Sequence, residues 1–237
     1  MTATATSRAA RLGRPRVHLR VTDSTNRVAR ELAAGGAAHG TLVTAREQTA
    51  GRGRQGRDWH APPGAALVCS WVIREPSPLL SLTAGVAVAA LCGARARLKW
   101  PNDVLMDRRK VAGILVEGRP QEDWAVLGVG LNVAVELSQL PRGVRERAAT
   151  LALAPGDLEP TLERLCASIE HWLAAPAEVT LDAVRARDAL RGRPVRWESG
   201  VGTGAGIDSH GRLLVACADG GTVALDAGEV HLGADEQ

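Results

Sequence analysis

Residues 48–59 read Gln48-Thr-Ala-Gly51-Arg52-Gly53-Arg54-Gln55-Gly56-Arg57-Asp58-Trp59. Three glycines alternate with three arginines, and no acid intervenes before Asp58. Glycine lets the backbone take conformations closed to other residues and brings its N–H groups close to a ligand. Crowding guanidiniums together costs roughly 1 kcal/mol per close pair in water. Such a stretch predicts a loop that closes over a phosphate or carboxylate. Two nucleotide motifs nearly fit. Gly51-x-Gly53-x-x-Gly56 has the dinucleotide spacing but must open a helix, and Pro62-Pro63 leaves no room for one. Gly51-x-x-x-x-Gly56 begins like a P-loop, yet Arg57-Asp58 replace the required Lys-Ser/Thr. A solvated basic loop or a nucleic-acid contact is the bland alternative.

The remaining composition narrows the field. At 237 residues the chain is one large domain, or one with a small appendage, with ample core. It has six Trp but no Phe or Tyr, so the core rests on Leu, Val, Ala and Ile. A net charge of +3 makes the positive charge local to the loop rather than global. Four scattered cysteines without a C-x-x-C predict buried free thiols in a reducing compartment. Of the 29 basic residues only Lys99 and Lys110 are lysine, eleven positions apart. Two compact ammonium groups where arginine is otherwise used suggest a task that a planar guanidinium does badly.

Residues 1–16 carry Arg, Ser and Thr but no acid and no apolar stretch, which excludes a secretory signal and predicts a disordered tail, with a transit peptide as the alternative. Val17–Val21 alternates as a strand, and Asp23 or Ser24 caps a short helix over Arg27–Ala34. Strands follow at Thr41–Ala45 and Ala65–Ile73, then a buried helix over Leu79–Ala94, too short to span a membrane. Arg95–Lys99 is a strand stopped by Trp100-Pro101-Asn102-Asp103; Pro101 fixes a turn that projects Asn102 and Asp103. Val104–Met106 and Lys110–Glu117 form a hairpin, and Trp124–Val135 is one more strand. Gly113, Gly128 and Gly130 lie inside strands, where glycine marks a bulge, a bulky neighbour or a ligand lying on the backbone. Three on neighbouring strands favour a ligand floor. Helices follow over Leu158–Leu173 and Leu181–Leu190, and short strands from Val195 onward form a small β-barrel.

Four segments now stand in order: D-S-T-N (23–26), the glycine–arginine loop, K-W-P-N-D (99–103) with K-V-A-G-I-L-V-E (110–117), and G-V-G-L-N (128–132). Together they resemble the biotin–protein ligase family over residues 17–235. The resemblance implies an α+β fold: a class II synthetase-like mixed sheet with flanking helices in a catalytic domain over 17–190, then an SH3-like β-barrel over 191–237. It implies an enzyme that joins biotin to AMP from ATP, with Mg2+, and passes the biotinyl group to a lysine of a biotin carboxyl carrier domain. Ser24, Thr25 and Gln48 would bind the ureido end of biotin, Lys110 its carboxylate, and Asn26 would also contact biotin. Gly51, Arg52, Gly53 and Arg54 would wrap its tail, and Gly113, Leu115, Gly128 and Val129 would form the pocket wall. Arg52, Arg54, Arg57, Trp59, Lys99, Asn102, Lys110 and Asn132 would contact ATP or the adenylate. Lys110, Arg54 and Asp103 would be catalytic, with Asp103 orienting or deprotonating the incoming lysine or helping to hold Mg2+.

The six histidines show no metal-ligand spacing. With about 16 residues before the first strand there is no room for the helix-turn-helix of some relatives, so no DNA binding is expected. Nor is a membrane partner: the chain reads as a cytoplasmic monomer or homodimer. Lipoate–protein ligase is the nearest rival, which the paired loop and K-W-P-N-D motifs disfavour. A nucleic-acid-binding module is the rival from another class; it lacks the aromatic stacking residues such a surface needs.

Overall fold

In the computed structural model, residues 12–118, 121–226, 228 and 230–232 are described. Seven strands form one sheet in the order β1-β2-β3-β7-β6-β5-β4. They are β1 (Arg16–Thr22), β2 (Leu42–Gln48), β3 (Ala66–Arg74), β4 (Arg97–Lys99), β5 (Asp103–Met106), β6 (Arg109–Gly118) and β7 (Trp124–Asn132). The β1–β2 pair is parallel and the others are antiparallel, so the sheet is mixed.

Helices cover both faces. Helix α1 (Thr25–Ala34) buries Thr25, Asn26, Ala29 and Ala33, one face at helical spacing, against β2, β3 and β7. Helix α2 (Leu80–Cys92) is apolar all round, as a helix enclosed on every side must be. It packs between the sheet and helices α4 (Leu158–Leu173) and α5 (Ala177–Ala186), and stops at Gly93, whose φ of 97° suits glycine. A single turn, α3 (Arg142–Arg145), is followed by a segment that pairs with β6 through Lys110 and Ala148. Strand β3 is buried on both faces, with Trp71 fully enclosed in the core. Truncating such a side chain to alanine costs about 3–5 kcal/mol.

The expected order of elements holds, with shifted bounds: α1 begins at Thr25 rather than Arg27, β4 at Arg97 rather than Arg95, and β7 ends at Asn132 rather than Val135. Helix α5 begins at Ala177 rather than Leu181, because Pro176 is well placed just before a helix, where its missing N–H costs nothing. It ends at Ala186 because the chain then runs alongside β4, pairing Leu98 with Asp188. The tail expected over 1–16 lies outside the described residues up to 11, whereas residues 12–16 are tied to the fold: Leu12 is buried and Leu42 donates its N–H to the Pro15 carbonyl at 2.9 Å. All four cysteines are free thiols, but only Cys69 is fully buried. Burial pushes Cys92 up to about 12 and Cys166 to about 11, which leaves both as unreactive thiols.

The last five strands, β8 (Pro194–Trp197), β9 (Gly200–Ile207), β10 (Leu213–Ala216), β11 (Thr222–Leu225) and β12 (His231–Leu232), form an antiparallel sheet ordered β11-β10-β9-β8-β12. Its buried Val195, Ile207, Leu213 and Val215 belong to the same apolar cluster as Trp71 and Leu165, so one core runs through both sheets. The turn between β9 and β10 is organised by Asp208. Its carboxylate accepts the amides of His210 and Arg212 at 2.8 and 2.9 Å and pairs with the Arg212 guanidinium. Partial burial raises the Asp208 carboxyl, but these partners outweigh it and hold the group below the ordinary range. A depressed acid contributes stability above its unfolded value near pH 3.9 that is lost as pH falls through the lower folded value. Melting curves of Asp208→Asn below pH 4 should therefore be flatter with pH than those of the parent; parallel profiles would refute the role.

Candidate active site

Strand register lines up the site. On the α1 face, Val68 of β3 pairs with Gly130 of β7, which pairs with Gly113 of β6, which pairs with Asp103 of β5. The adjacent row runs Ser70, Gly128, Leu115. The result is a trough with a glycine floor, flanked by the start of α1 and by the glycine–arginine loop.

That loop is a hairpin with its own backbone order. Trp59 donates its N–H to Gly51 at 2.9 Å, Gly53 to Arg57 at 2.6 Å, and Arg57 to Arg54 at 3.2 Å. Its tip places Gln55 and Gly56 at φ of 54° and 73°. A left-handed conformation at the non-glycine Gln55 costs about 1–2 kcal/mol. Pairing of the hairpin folds the Trp59 indole inward over the floor. A Cβ added at Gly130 would lie 2.4 Å from this ring, and one at Gly113 3.3 Å from it. Likewise a Cβ at Gly128 would lie 2.1 Å from Asn26 Oδ1. The floor glycines thus make room for the protein's own Asn26 and Trp59 as well as for the trough.

At one end, both the Thr25 amide and hydroxyl donate to Gln48 Oε1, at 2.7 and 3.0 Å. Ser70 Oγ lies 2.8 Å from the Thr25 hydroxyl and 2.6 Å from Asn26 Oδ1. Asn26 in turn donates to Glu117 at 2.7 Å. Ser24 occupies the N-cap position of α1 without a side-chain hydrogen bond to the helix. Gly51 accommodates this end: a Cβ there would lie 2.5 Å from the Trp59 carbonyl and 3.0 Å from Gln48 Nε2.

At the other end, Lys110 Nζ lies 2.7 Å from Asp103 Oδ1 and 5.6 Å from the centre of the Trp59 ring. The Lys110–Asp103 contact falls outside hydrogen-bond geometry, since Oδ1 is buried and without such a bond, so it is an ion pair by distance. Arg54 reaches Asn102 Oδ1 at 3.4 Å, and Asn102 donates to the Ile114 carbonyl at 2.9 Å. The buried Trp59 indole N–H has no acceptor. Unsatisfied buried donors are uncommon, and one in the wall of a trough is available to a ligand.

The trough encloses about 910 Å³, part of it open to solvent. Of the residues singled out from sequence, it brings together Ser24, Thr25, Asn26, Gln48, Arg52, Gly53, Arg54, Arg57, Trp59, Lys99, Asn102, Asp103, Lys110, Gly113, Leu115, Gly128 and Val129. Gly51 and Asn132 do not line it; the Asn132 amide instead donates to the Ala149 carbonyl at 2.9 Å. Sequence reasoning gave no site role to Val68, Cys69, Trp100, Pro101 and Ile114, which also line it, nor to Gly228 and Val230, which come from the segment before β12. No sequence signal marked these last two. Among the described residues no group of three or more His, Cys, Asp or Glu side chains could hold a metal ion, and no helix is long and apolar enough to cross a membrane.

This geometry agrees with comparisons to known proteins. The profile of the biotin/lipoate A/B protein ligase family matches residues 18–133, and that of the biotin protein ligase C-terminal domain matches residues 190–233. The biotin–[acetyl-CoA-carboxylase] ligase of Mycobacterium tuberculosis is 38% identical, over 89% of this chain and 86% of its own. The chain spans about half the length, 49%, of the bifunctional ligase/repressor of Bacillus spizizenii, to which it is 37% identical over 62% of itself. The Aquifex aeolicus biotin protein ligase solved with biotin and ATP superposes with a TM-score of 0.76 at 26% identity, covering 92% of this chain and 99% of that one. By sequence, fold and the arrangement of this trough, the chain belongs to the biotin/lipoate A/B protein ligase family.

Proposed function

We propose that this protein is a biotin–protein ligase: it converts biotin and ATP to biotinyl-5'-adenylate and pyrophosphate, then transfers the biotinyl group to a lysine of a biotin carboxyl carrier domain. One observation carries this reading. A single trough holds a neutral polar end, built on Thr25 and Gln48, and a cationic end, built on Arg54 and Lys110, joined by a glycine floor under Trp59. A ligand with a polar, uncharged ring at one end and a carboxylate at the other fits that gradient.

In the first step a carboxylate oxygen attacks the α-phosphorus of ATP and the bond to pyrophosphate breaks. Lys110 holds the carboxylate and then the acyl-phosphate oxygens, exchanging its ion pair with Asp103 for the substrate's charge. Arg54, with Arg52 and Arg57, neutralises charge on the phosphates, the kind of preorganised positive group that lowers such barriers most. Trp59 and Lys99 lie along the nucleotide, and Asn102 fixes Arg54. In the second step the neutral acceptor amine attacks the acyl carbon, AMP leaves with the acyl–phosphate bond broken, and the proton lost from nitrogen passes to Asp103 or to water. Mg2+ would neutralise the phosphates, and Asp103, once Lys110 has exchanged its ion pair for the substrate, would be the carboxylate that could help to hold it. We divide the chain at 190/191 into a catalytic unit and a C-terminal cap, and we place the protein in the cytoplasm.

The direct experiment is titration of the protein with biotin, with and without magnesium-ATP, while following pyrophosphate. Biotin-dependent release supports the reading; release with lipoate alone would change the substrate; none with either would refute both. Arg54→Gly should speed loss of the adenylate from the enzyme about tenfold or more, since a charged hydrogen-bonding partner is worth roughly 1.5–3 kcal/mol. Equal retention by variant and parent would remove Arg54 from the site.

A further inference from the structure

Trp100 immediately precedes the Pro101–Asn102–Asp103 turn, and its side chain is buried in the core. Its indole N–H donates to the Gly211 carbonyl at 2.9 Å, across 111 residues of chain. Gly211 ends the Asp208 turn of the C-terminal sheet, at φ of 80°. A Cβ there would come within 2.6 Å of Leu79 and 2.9 Å of Leu82, so the turn is wedged against the start of α2. From α5, Arg185 donates to the carbonyls of Ile207 and Asp208 at 3.0 and 3.2 Å, which holds the same turn from behind. The Pro101–Asn102–Asp103 turn is therefore gripped from three sides. Ser81 of α2 donates to the Pro101 carbonyl at 3.1 Å, Asn102 and Ile114 exchange two hydrogen bonds of 2.9 Å, and Trp100 ties the turn to the C-terminal sheet.

We infer that Trp100 is a positioning residue through which the C-terminal sheet sets the placement of Asn102 and Asp103, and through them of Arg54 and Lys110. The inference rests on the ligase reading for its kinetic consequence but not for its structural one. Removing the donor while keeping an aromatic ring, as in Trp100→Phe, leaves a buried carbonyl without its partner and frees the turn to shift. Small misplacements of charged groups reduce rates steeply. The neutral end of the trough is held by α1 and β2, so binding there should be spared.

The test combines steady-state kinetics of pyrophosphate release with amide hydrogen exchange over residues 102–105. For Trp100→Phe the expected result is kcat lowered about tenfold, the KM for biotin within twofold of the parent, and faster exchange in that segment. Arg185→Gln, which loosens the Asp208 turn without touching the core, should show the same pattern at about threefold, and it decides the question should Trp100→Phe fold poorly. Unchanged kcat and exchange in Arg185→Gln, or kcat and KM moving together in both variants, would overturn the inference. If the parent releases no pyrophosphate with biotin, the ligase reading has failed instead; exchange over 102–105 still decides the anchor.

Discussion

Replacing Lys110 with alanine is expected to slow biotin-dependent adenylate formation about 10²–10³-fold, the loss typical of removing one preorganised group from a developing charge. The local geometry explains why a single lysine carries so much. Lys110 lies between the Asp103 carboxylate and the Trp59 ring, which together hold its ammonium at the end of the glycine floor. An ion pair with a partly buried acid and a ring face beneath it keeps the charge localised while leaving the ammonium partly exposed, ready to exchange partners. Alanine would also leave Asp103 as an uncompensated negative charge at the end of the trough where, under the proposed function, a carboxylate and a phosphate meet. Single-turnover pyrophosphate release measures the effect directly. A rate within threefold of the parent would return Lys110 to the status of a hairpin lysine. Lys110→Arg should recover little, because a planar fork does not place one charge where the ammonium stood.

A methyl group at Gly128 is expected to be as damaging to the fold as the loss of Lys110 is to the chemistry. The added Cβ would sit 2.1 Å from Asn26 Oδ1 and within 3.0 Å of the rest of that carboxamide, far inside any tolerable contact. Asn26 is buried and held by Ser70 and Glu117, so it has nowhere to move without breaking those bonds. Each buried polar group left without a partner costs about 1–3 kcal/mol. Gly128→Ala should therefore destabilise by roughly 3 kcal/mol, and with Asn26 displaced the start of α1, including Thr25, should bind biotin more weakly. Urea unfolding of Gly128→Ala, Asn26→Ala and the double variant checks the cause. The double variant should be more stable than the two single losses added together, because the clash is absent once the carboxamide is gone. Strict additivity would show that the glycine is there for another reason.

Much of this molecule was legible in one dimension. Local chemistry decides where chains bend and which residues face inward, and it acts over a few neighbours. The alternation in residues 17–21, the Ser24 cap position, the apolar run of α2 and the Pro101 turn are signals of that kind, and the structure places elements at each of them. The glycine–arginine loop stood out for the same reason: clustered guanidiniums and close-approach backbone are costs visible in the sequence, and they raise the expectation of an anion. Helix α5 was misplaced by four residues at its start because its boundary depends on Pro176 before it and on pairing with β4 after it.

Tertiary structure decided what those pieces do to one another. Periodicity tells which face of a strand a residue occupies but not which residue lies opposite, and the latter is set by pairing between distant segments. Register alone aligned Val68, Gly130, Gly113 and Asp103 in one row, and so distinguished glycines that admit Trp59 or Asn26 from a bare ligand floor. The arrival of Gly228 and Val230 at the trough, and the hydrogen bond from Trp100 to Gly211, have the same origin. They join residues more than a hundred positions apart, where no local preference acts and only burial of a shared core holds the two sheets in contact.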